Sequence, residues 1–456
     1  MKKNIINILM LSTLLPLASC NNSITSDSLS NNEIPNNSDV EVNNDLCVKE
    51  IKGAAKPEEK KSVDEQFKEF LPSYQKFASD ITYEYIDMYK EDSNIAISPL
   101  SIYMALAMAN KCANNETRNQ ISNALNTTTS ELDANIKNLL DYSYREHYMT
   151  EYPDFEKKLV TNEEVSNSIW FNDTINIKDD CVEELANNYY VDSYYADFAN
   201  NGIAVSKEIA NYIEKKTKGL IKPELEFSQS TAMVILNTLY LKDSWANELD
   251  YTDTEYDFKN IDNSITKTKL LTSDYISGRV YKEEQFSHFY TSTLGEYKLK
   301  FIVPNDNYSI YDVFTKENIS KVIEMKDYRS LDKENKTEYY TRVLFPEHET
   351  SCSKKINDLL SQRLGITDLF AEGVCDFSSI SDTRMFCSAI NHISKLKVDK
   401  VGIEGAAVTI IEMATESVPI EIYKKEFETF TIDKAFGFIL VDEYDIPVFT
   451  GIVTNI

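Results

Sequence analysis

Apolar residues recur along this chain at two spacings, and the spacing changes by region. Tyr74, Phe77, Ala78, Ile81, Tyr85 and Met88 share one stripe at the 3.6-residue period, which predicts a helix with one buried face. The run NIAISPLSIYMALAMA, Asn94 to Ala109, is apolar nearly all round and predicts a buried helix. Ser98 followed by Pro99 sets its start: a capping hydroxyl, then a ring whose φ is already helical. A more polar helix is predicted at Glu116 to Leu125. Another runs from Ala204 to Lys216 and is closed by Thr217-Lys218-Gly219.

Elsewhere the period is two. VSNSIWF, Val165 to Phe171, alternates as a strand. TAMVILNTLYL, Thr231 to Leu241, is almost unbroken in apolar residues around Asn237, the pattern of a strand buried on both faces. Further strands are predicted at Tyr297 to Val303, Ala389 to Val398, Phe436 to Val441 and Val448 to Val453. Helices dominate early and strands late, with no βαβ rhythm, so the fold class is α+β with large sheets.

KVGIEGAAVTIIEMATES, Lys400 to Ser417, also alternates, but unevenly. One face carries Ile403, Gly405, Ala407, Thr409, Ile411 and Met413; the other carries three carboxylates, at positions 404, 412 and 416. Its start is thin, with small residues before any bulky run. An ordinary core strand has no need of such an entry.

The N-terminus reads differently. Lys2 and Lys3 precede an apolar run from Ile5 to Leu17, too short to span a bilayer and fit for an export signal. Leu17-Ala18-Ser19-Cys20 resembles a bacterial lipobox, which implies acylation of Cys20 and anchoring by lipid. From there to about Ser62 the chain is rich in Asn, Ser and acidic residues and predicts a flexible tether. The expected organisation is a signal at 1–19, a tether at 20–62 and one folded unit at 63–456. The expected location is the bacterial cell envelope or outer membrane, held by lipid and exposed at the surface, with plain secretion as the alternative.

The formal net charge is −27, from 74 acidic and 47 basic residues. Such a polyanion is repelled by phosphate backbones, which argues against nucleic-acid binding. Seven cysteines form no C-x-x-C pair and no zinc spacing. Cys112, Cys181, Cys375 and Cys387 lie among apolar neighbours and read as buried free thiols. There is no G-x-S-x-G, P-loop, G-x-G-x-x-G or H-E-x-x-H. Of the four histidines, His392 shares a strand face with Ile390, Leu396 and Val398 and reads as a hydrogen-bonded core residue rather than a base. Asp179-Asp180 and Glu183-Glu184 lack calcium-loop spacing. Neither a metal nor a cofactor is expected, and an enzyme is disfavoured.

Five segments, in order, resemble the serpin family: NIAISPLSIYMALAMA; LNTLYLKDSW, Leu236 to Trp245; LGITDLFAEGVCDFSSIS, Leu364 to Ser381; KVGIEGAAVTII; and the terminal run Phe430 to Ile456. The resemblance implies one large domain of three sheets and about nine helices with an exposed reactive-centre loop. It makes Lys400–Ser417 a bait that, once cut, enters the central sheet and carries an acylated protease with it. Gly402, Ile403, Glu404, Gly405, Ala406 and Ala407 would form the hinge. Glu416–Ser417 would be the bond attacked, with Met413, Thr415 and Lys424 as alternative positions. Ser98, Ser101, Asn237 and His392 would form the polar cluster where the sheet parts, with Trp245 at the top of the opening. The implied protein is a monomer that traps serine proteases as covalent complexes, with cysteine proteases as secondary targets. A non-inhibitory binding or carrier module is the alternative, prompted by bulky Ile403 and a long loop. Ile403, Gly405, Asp243 and Ala435 depart from the family's usual residues.

Overall fold

The computed structural model describes residues 47–57, 63–151, 156–246, 249–272, 275–326, 328–404 and 423–456. Among them lie nine α-helices and three sheets, in an α+β arrangement. Residues 46–456 make one compact unit.

The buried helix forms at Pro99–Cys112, where every residue except Lys111 is buried. The Ser101 N–H donates to Ser98 Oγ at its N-terminus, as the capping hydroxyl requires. The amphipathic stripe lies within the helix Glu65–Met88, which tolerates Pro72 near its start and buries Tyr74, Phe77, Ala78, Ile81 and Tyr85. The predicted polar helix is Asn115–Ala124, and the one ending at Lys216 begins earlier, at Phe198. Gly219 stands at φ 85°, and its N–H donates to Glu214 O, the left-handed stop that only glycine adopts freely.

The largest sheet is built as two wings. One wing consists of Val48–Lys52, Val191–Ala196, Glu156–Asn172 and Met233–Ser244. The other begins with Asn391–Val398 and His348–Lys355, and continues through Ile95–Ile97 to the C-terminal strands Pro447–Val453 and Phe436–Val441. Met233–Ser244 is the predicted two-face strand: all but Asn237 and Lys242 are buried. The Glu156–Asn172 strand runs far beyond the predicted Val165–Phe171, because its polar first half pairs with Arg145–Glu151, where alternation gives no signal.

The boundary of the tether differs from the sequence expectation. Val48–Lys52 pairs antiparallel with Val191–Ala196, Asp197 N–H donates to Cys47 O, and Ala55 N–H donates to Ala186 O. Ile51, Ala54 and Ala55 pack on the core. A short alternating VKEIK carries too little apolar area to be recognised in an Asn/Ser-rich context. Deleting residues 47–57 removes these bonds and uncovers a sheet edge. We expect a loss of about 2–4 kcal/mol in urea unfolding. An unchanged midpoint would show that the strand is dispensable.

Candidate functional site: the opening of the central sheet

Asn391–Val398 and Met233–Ser244 lie close together in strand order, yet no ladder joins them directly among the described residues. They are linked by Gly402–Ile403, which pairs with both: Ile403 with Val398 and with Asp243, Gly402 with Ser244. The chain leaves Val398, turns through Asp399–Val401, and runs back between the two wings. Below Ile403 the facing edges of the two strands have no partner between them among the described residues. Beside the lower part of this gap is a cavity of about 530 Å³, lined by residues 220–226, 351–355 and the start of the Asn391–Val398 strand.

The turn is built by Asp399. Its Oδ1 accepts from Val401 N–H at 2.8 Å and Gly402 N–H at 3.3 Å, and its backbone O accepts from Trp245 Nε1 at 2.8 Å. Sequence reading missed this residue, although aspartate three places before glycine is a turn signature. Trp245 is buried and closes the top of the opening, its backbone N–H donating to Val401 O.

Gly402 holds its place for a reason other than pivoting. Its φ is not in the left-handed region; instead, an added Cβ would lie 2.1 Å from Asp243 O and 2.9 Å from Ser244 Cα. The unusual backbone belongs to Glu404, at φ 69°. Glu404 Oε1 accepts from Tyr240 OH at 3.2 Å, and burial raises the pKa of its carboxyl. Ile403 is fully buried in a cluster with Leu239, Leu241, Trp245, Leu396 and Val398, so its bulk is accommodated. Gly405, Ala406, Ala407, Met413, Thr415, Glu416 and Ser417 lie outside the described residues. Lys424 corrects an expectation. It begins the strand Lys424–Thr431 and pairs with Thr337, so its bond to Lys425 is held in a ladder and is not free as bait.

The predicted polar cluster is divided. Ser98 N–H donates to His392 Nε2 at 3.2 Å, and Ser101 is joined through the Ser98 hydroxyl. Asn237 is bound elsewhere: its Nδ2 donates to Asn167 Oδ1 at 2.6 Å, while Asn167 Nδ2 donates to Tyr189 O. Because His392 Nε2 accepts, the ring is neutral with its proton on Nδ1. Burial lowers its pKa from 6.5 to about 3. The unfolded state therefore binds a proton below pH 6.5 that the folded state refuses, and stability falls as pH drops. From pH 6.5 to 5 this single group removes about 2 kcal/mol. His392→Gln keeps an acceptor for Ser98 and should flatten the pH dependence by that amount in urea titrations. Equal slopes for both proteins would refute it.

Asp243 sits beside Ile403 and stands out in the sequence only as a departure from the family. Its carboxylate accepts from Thr161 Oγ1 at 2.8 Å, Ser244 N–H at 2.9 Å and Gly295 N–H at 3.0 Å. Burial still raises its pKa to about 6. Nearby, Arg145 pairs with Asp442 at 2.8 Å, and Tyr297 OH donates to Glu163, whose pKa burial raises to about 8. These carboxyl groups oppose His392 in sign, since acidification favours their folded, protonated form; the comparison with His392→Gln cancels them. Among the described residues no group of acidic, His or Cys side chains could hold a metal.

These features meet the family comparison. The family model for "Serpin (serine protease inhibitor)" matches residues 72–456. The chain is a serpin. It is 27% identical over 394 residues to alpha-1-antitrypsin of Meriones unguiculatus, covering 82% of this chain and 87% of that one. The native-state crystal structure of tengpin, a thermophilic serpin, superposes with a TM-score of 0.66 at 25% identity, covering 88% of this chain and 97% of that one. Thyroxine-binding globulin, in complex with thyroxine, shares the fold with a TM-score of 0.68 at 18% identity, covering 85% and 99%.

Proposed function

We propose that this serpin is a suicide-substrate inhibitor of serine proteases. The observation that supports it best is the unladdered gap between Met233–Ser244 and Asn391–Val398, with Gly402–Ile403 already seated at its top. A loop cut near Glu416–Ser417 has a place to go. Continuing the antiparallel pairing of Ile403 downward would fill both open edges. The bound acyl-enzyme would be carried to the far end of the sheet. A glutamate at the attacked position fits proteases with a basic specificity pocket. Antitrypsin relatives are consistent with inhibition. The carrier alternative loses one of its grounds, because Ile403 is fully buried in the apolar cluster at the top of the opening.

Residues 1–19 act as an export signal in this reading, and Cys20 carries the lipid that holds the protein on the bacterial envelope. The tether is then shorter than the sequence implied. The test is incubation with a glutamyl endopeptidase, trypsin and elastase, read on a denaturing gel. A covalent complex supports the reading; loop cleavage without any complex refutes inhibition. Palmitate labelling that is lost in Cys20→Ser checks the anchor.

A further inference from the structure

The sheet face that follows the bait in sequence is aromatic and cationic. Lys424–Thr431 pairs with Thr337–Phe345 alone among the described residues, in a parallel register that sets Phe427 against Tyr340 and Lys425 against Glu338. Alternation turns Thr341, Val343 and Phe430 into the core, where all three are buried. It turns Phe427, Tyr340 and Arg342 to the opposite face. Phe427 is 58% exposed and Tyr275, from the segment beside them, 38%. The Phe427 and Tyr340 rings stack at 5.4 Å, and Tyr275 meets Phe427 edge-on at 5.0 Å. The Arg342 guanidinium lies 4.7 Å from the centre of the Tyr275 ring, and Lys425 Nζ lies 5.1 Å from that of Tyr340.

The fold leaves this layer unpaired. Among the described residues no carboxylate bonds to Arg342 or Lys425, and Arg342 Nε has no hydrogen-bond partner. Glu338 is the one carboxylate on this face of the two strands, and no ion pair joins it to Lys425. In a chain of net charge −27 the face is a local excess of cations. Aromatic and arginine side chains supply much of the energy of protein interfaces, and mutual stacking has already fixed these.

Chain length names the occupant. Seven residues lead from Ser417 to Lys424, at most about 25 Å of extended chain. A protease of about 220 residues is roughly 40 Å across. One held at Glu416–Ser417 therefore has its body within reach of this face. We propose that Phe427, Tyr340, Tyr275, Arg342 and Lys425 form a docking surface for the target protease, and that it favours a protease whose cleft is rimmed by acidic residues. The surface speeds the first encounter and takes no part in trapping after the cut. The identity of the partner rests on the inhibitory reading above.

Complex formation and loop cleavage are timed for the full chain and for the double variant Lys425→Glu/Phe427→Ala, against one acidic and one basic glutamyl endopeptidase. Both side chains are exposed and the backbone ladder is untouched, so the thermal midpoint should stay within about 2 °C. With the acidic enzyme the variant should react at least about 10-fold more slowly at low salt, with an unchanged ratio of complex to cleaved product. The difference should shrink as salt rises. The basic enzyme should show no slowing. Lys68→Glu, the same charge change on the helix Glu65–Met88, should behave as the parent. Equal rates for parent and double variant with the acidic enzyme overturn the docking surface and leave the inhibitory reading standing. Equal slowing with both enzymes, or in Lys68→Glu, assigns the effect to strand damage or net charge and overturns it as well. Slower loop cleavage with no complex from either protein overturns inhibition and leaves the docking surface. A parent dimer in sedimentation that the double variant dissolves assigns the face to a second copy of this chain and overturns the proposal.

Discussion

Cutting the Glu416–Ser417 bond should raise the thermal midpoint by roughly 20 °C or more, an effect opposite to that of ordinary proteolysis. A nick normally releases chain entropy and lowers stability. Here the facing edges of Met233–Ser244 and Asn391–Val398 lack a partner below Ile403 among the described residues. A strand placed there forms a ladder on each side, at about 0.5–1.5 kcal/mol per bond. Ile411 and Met413 would each bury apolar surface for a further gain of roughly 1.5–3 kcal/mol. Several such gains convert to tens of degrees. The intact chain cannot collect them, because Lys424–Thr431 is fixed in parallel register with Thr337–Phe345 and holds the far end of the segment. Scanning calorimetry before and after limited digestion decides it. A midpoint that stays or falls means that the segment does not enter the gap, and the inhibitory reading fails with it.

The sequence reaches the elements with strong periods and stops where neighbours decide. The buried helix and the two-face strand Met233–Ser244 were legible because a run apolar on every side has few alternatives. The helices Thr129–Tyr142 and Asp179–Asn188 have cleaner stripes in the structure than their mixed compositions advertise. Val48–Lys52 was hidden because a short edge strand is stabilised by its partner and not by its own propensity. At the site, His392 was legible as a buried strand-face residue and Ser98 as a cap. That they belong to one polar cluster was implied by the family resemblance and not by spacing, and their direct hydrogen bond appears only in the structure. Asn237 was grouped with them, but its partner Asn167 comes from the adjacent strand, a pairing that only register reveals. Asp243 shows the same limit: a charged residue in an apolar strand is costly in sequence terms, and two of its three donors come from segments far away in the chain.

Gly402 carries the sharpest consequence of that register. Lys400 to Ala407 reads as a pliable start, and glycine there invites a conformational explanation. The structure gives a packing one. Gly402 crosses so close to Asp243 that a methyl group would meet its carbonyl oxygen at 2.1 Å and its carbonyl carbon at 3.0 Å. Both obstacles are main-chain atoms in a strand paired along its other edge with Glu156–Asn172, so they cannot move aside singly. Gly402→Ala must therefore lift the turn out of the opening, losing the Ile403 pairings and exposing a side chain that is now fully buried. The expected cost in the intact protein is about 2–4 kcal/mol, read as a lower urea midpoint. The functional effect should be larger than the stability effect. With its first two residues barred from the gap, a cut loop enters late or not at all, and the acyl-enzyme hydrolyses before it is displaced. The variant should be cleaved as fast as the parent yet yield at least about 10-fold less covalent complex per cleavage. Gly295→Ala, whose added Cβ would press on the Asp243 carboxylate and Thr161 side chain instead, serves as a comparison that disturbs the same residue without touching the turn. If Gly402→Ala kept the parent's ratio of complex to cleaved product, the seated turn would have no part in trapping.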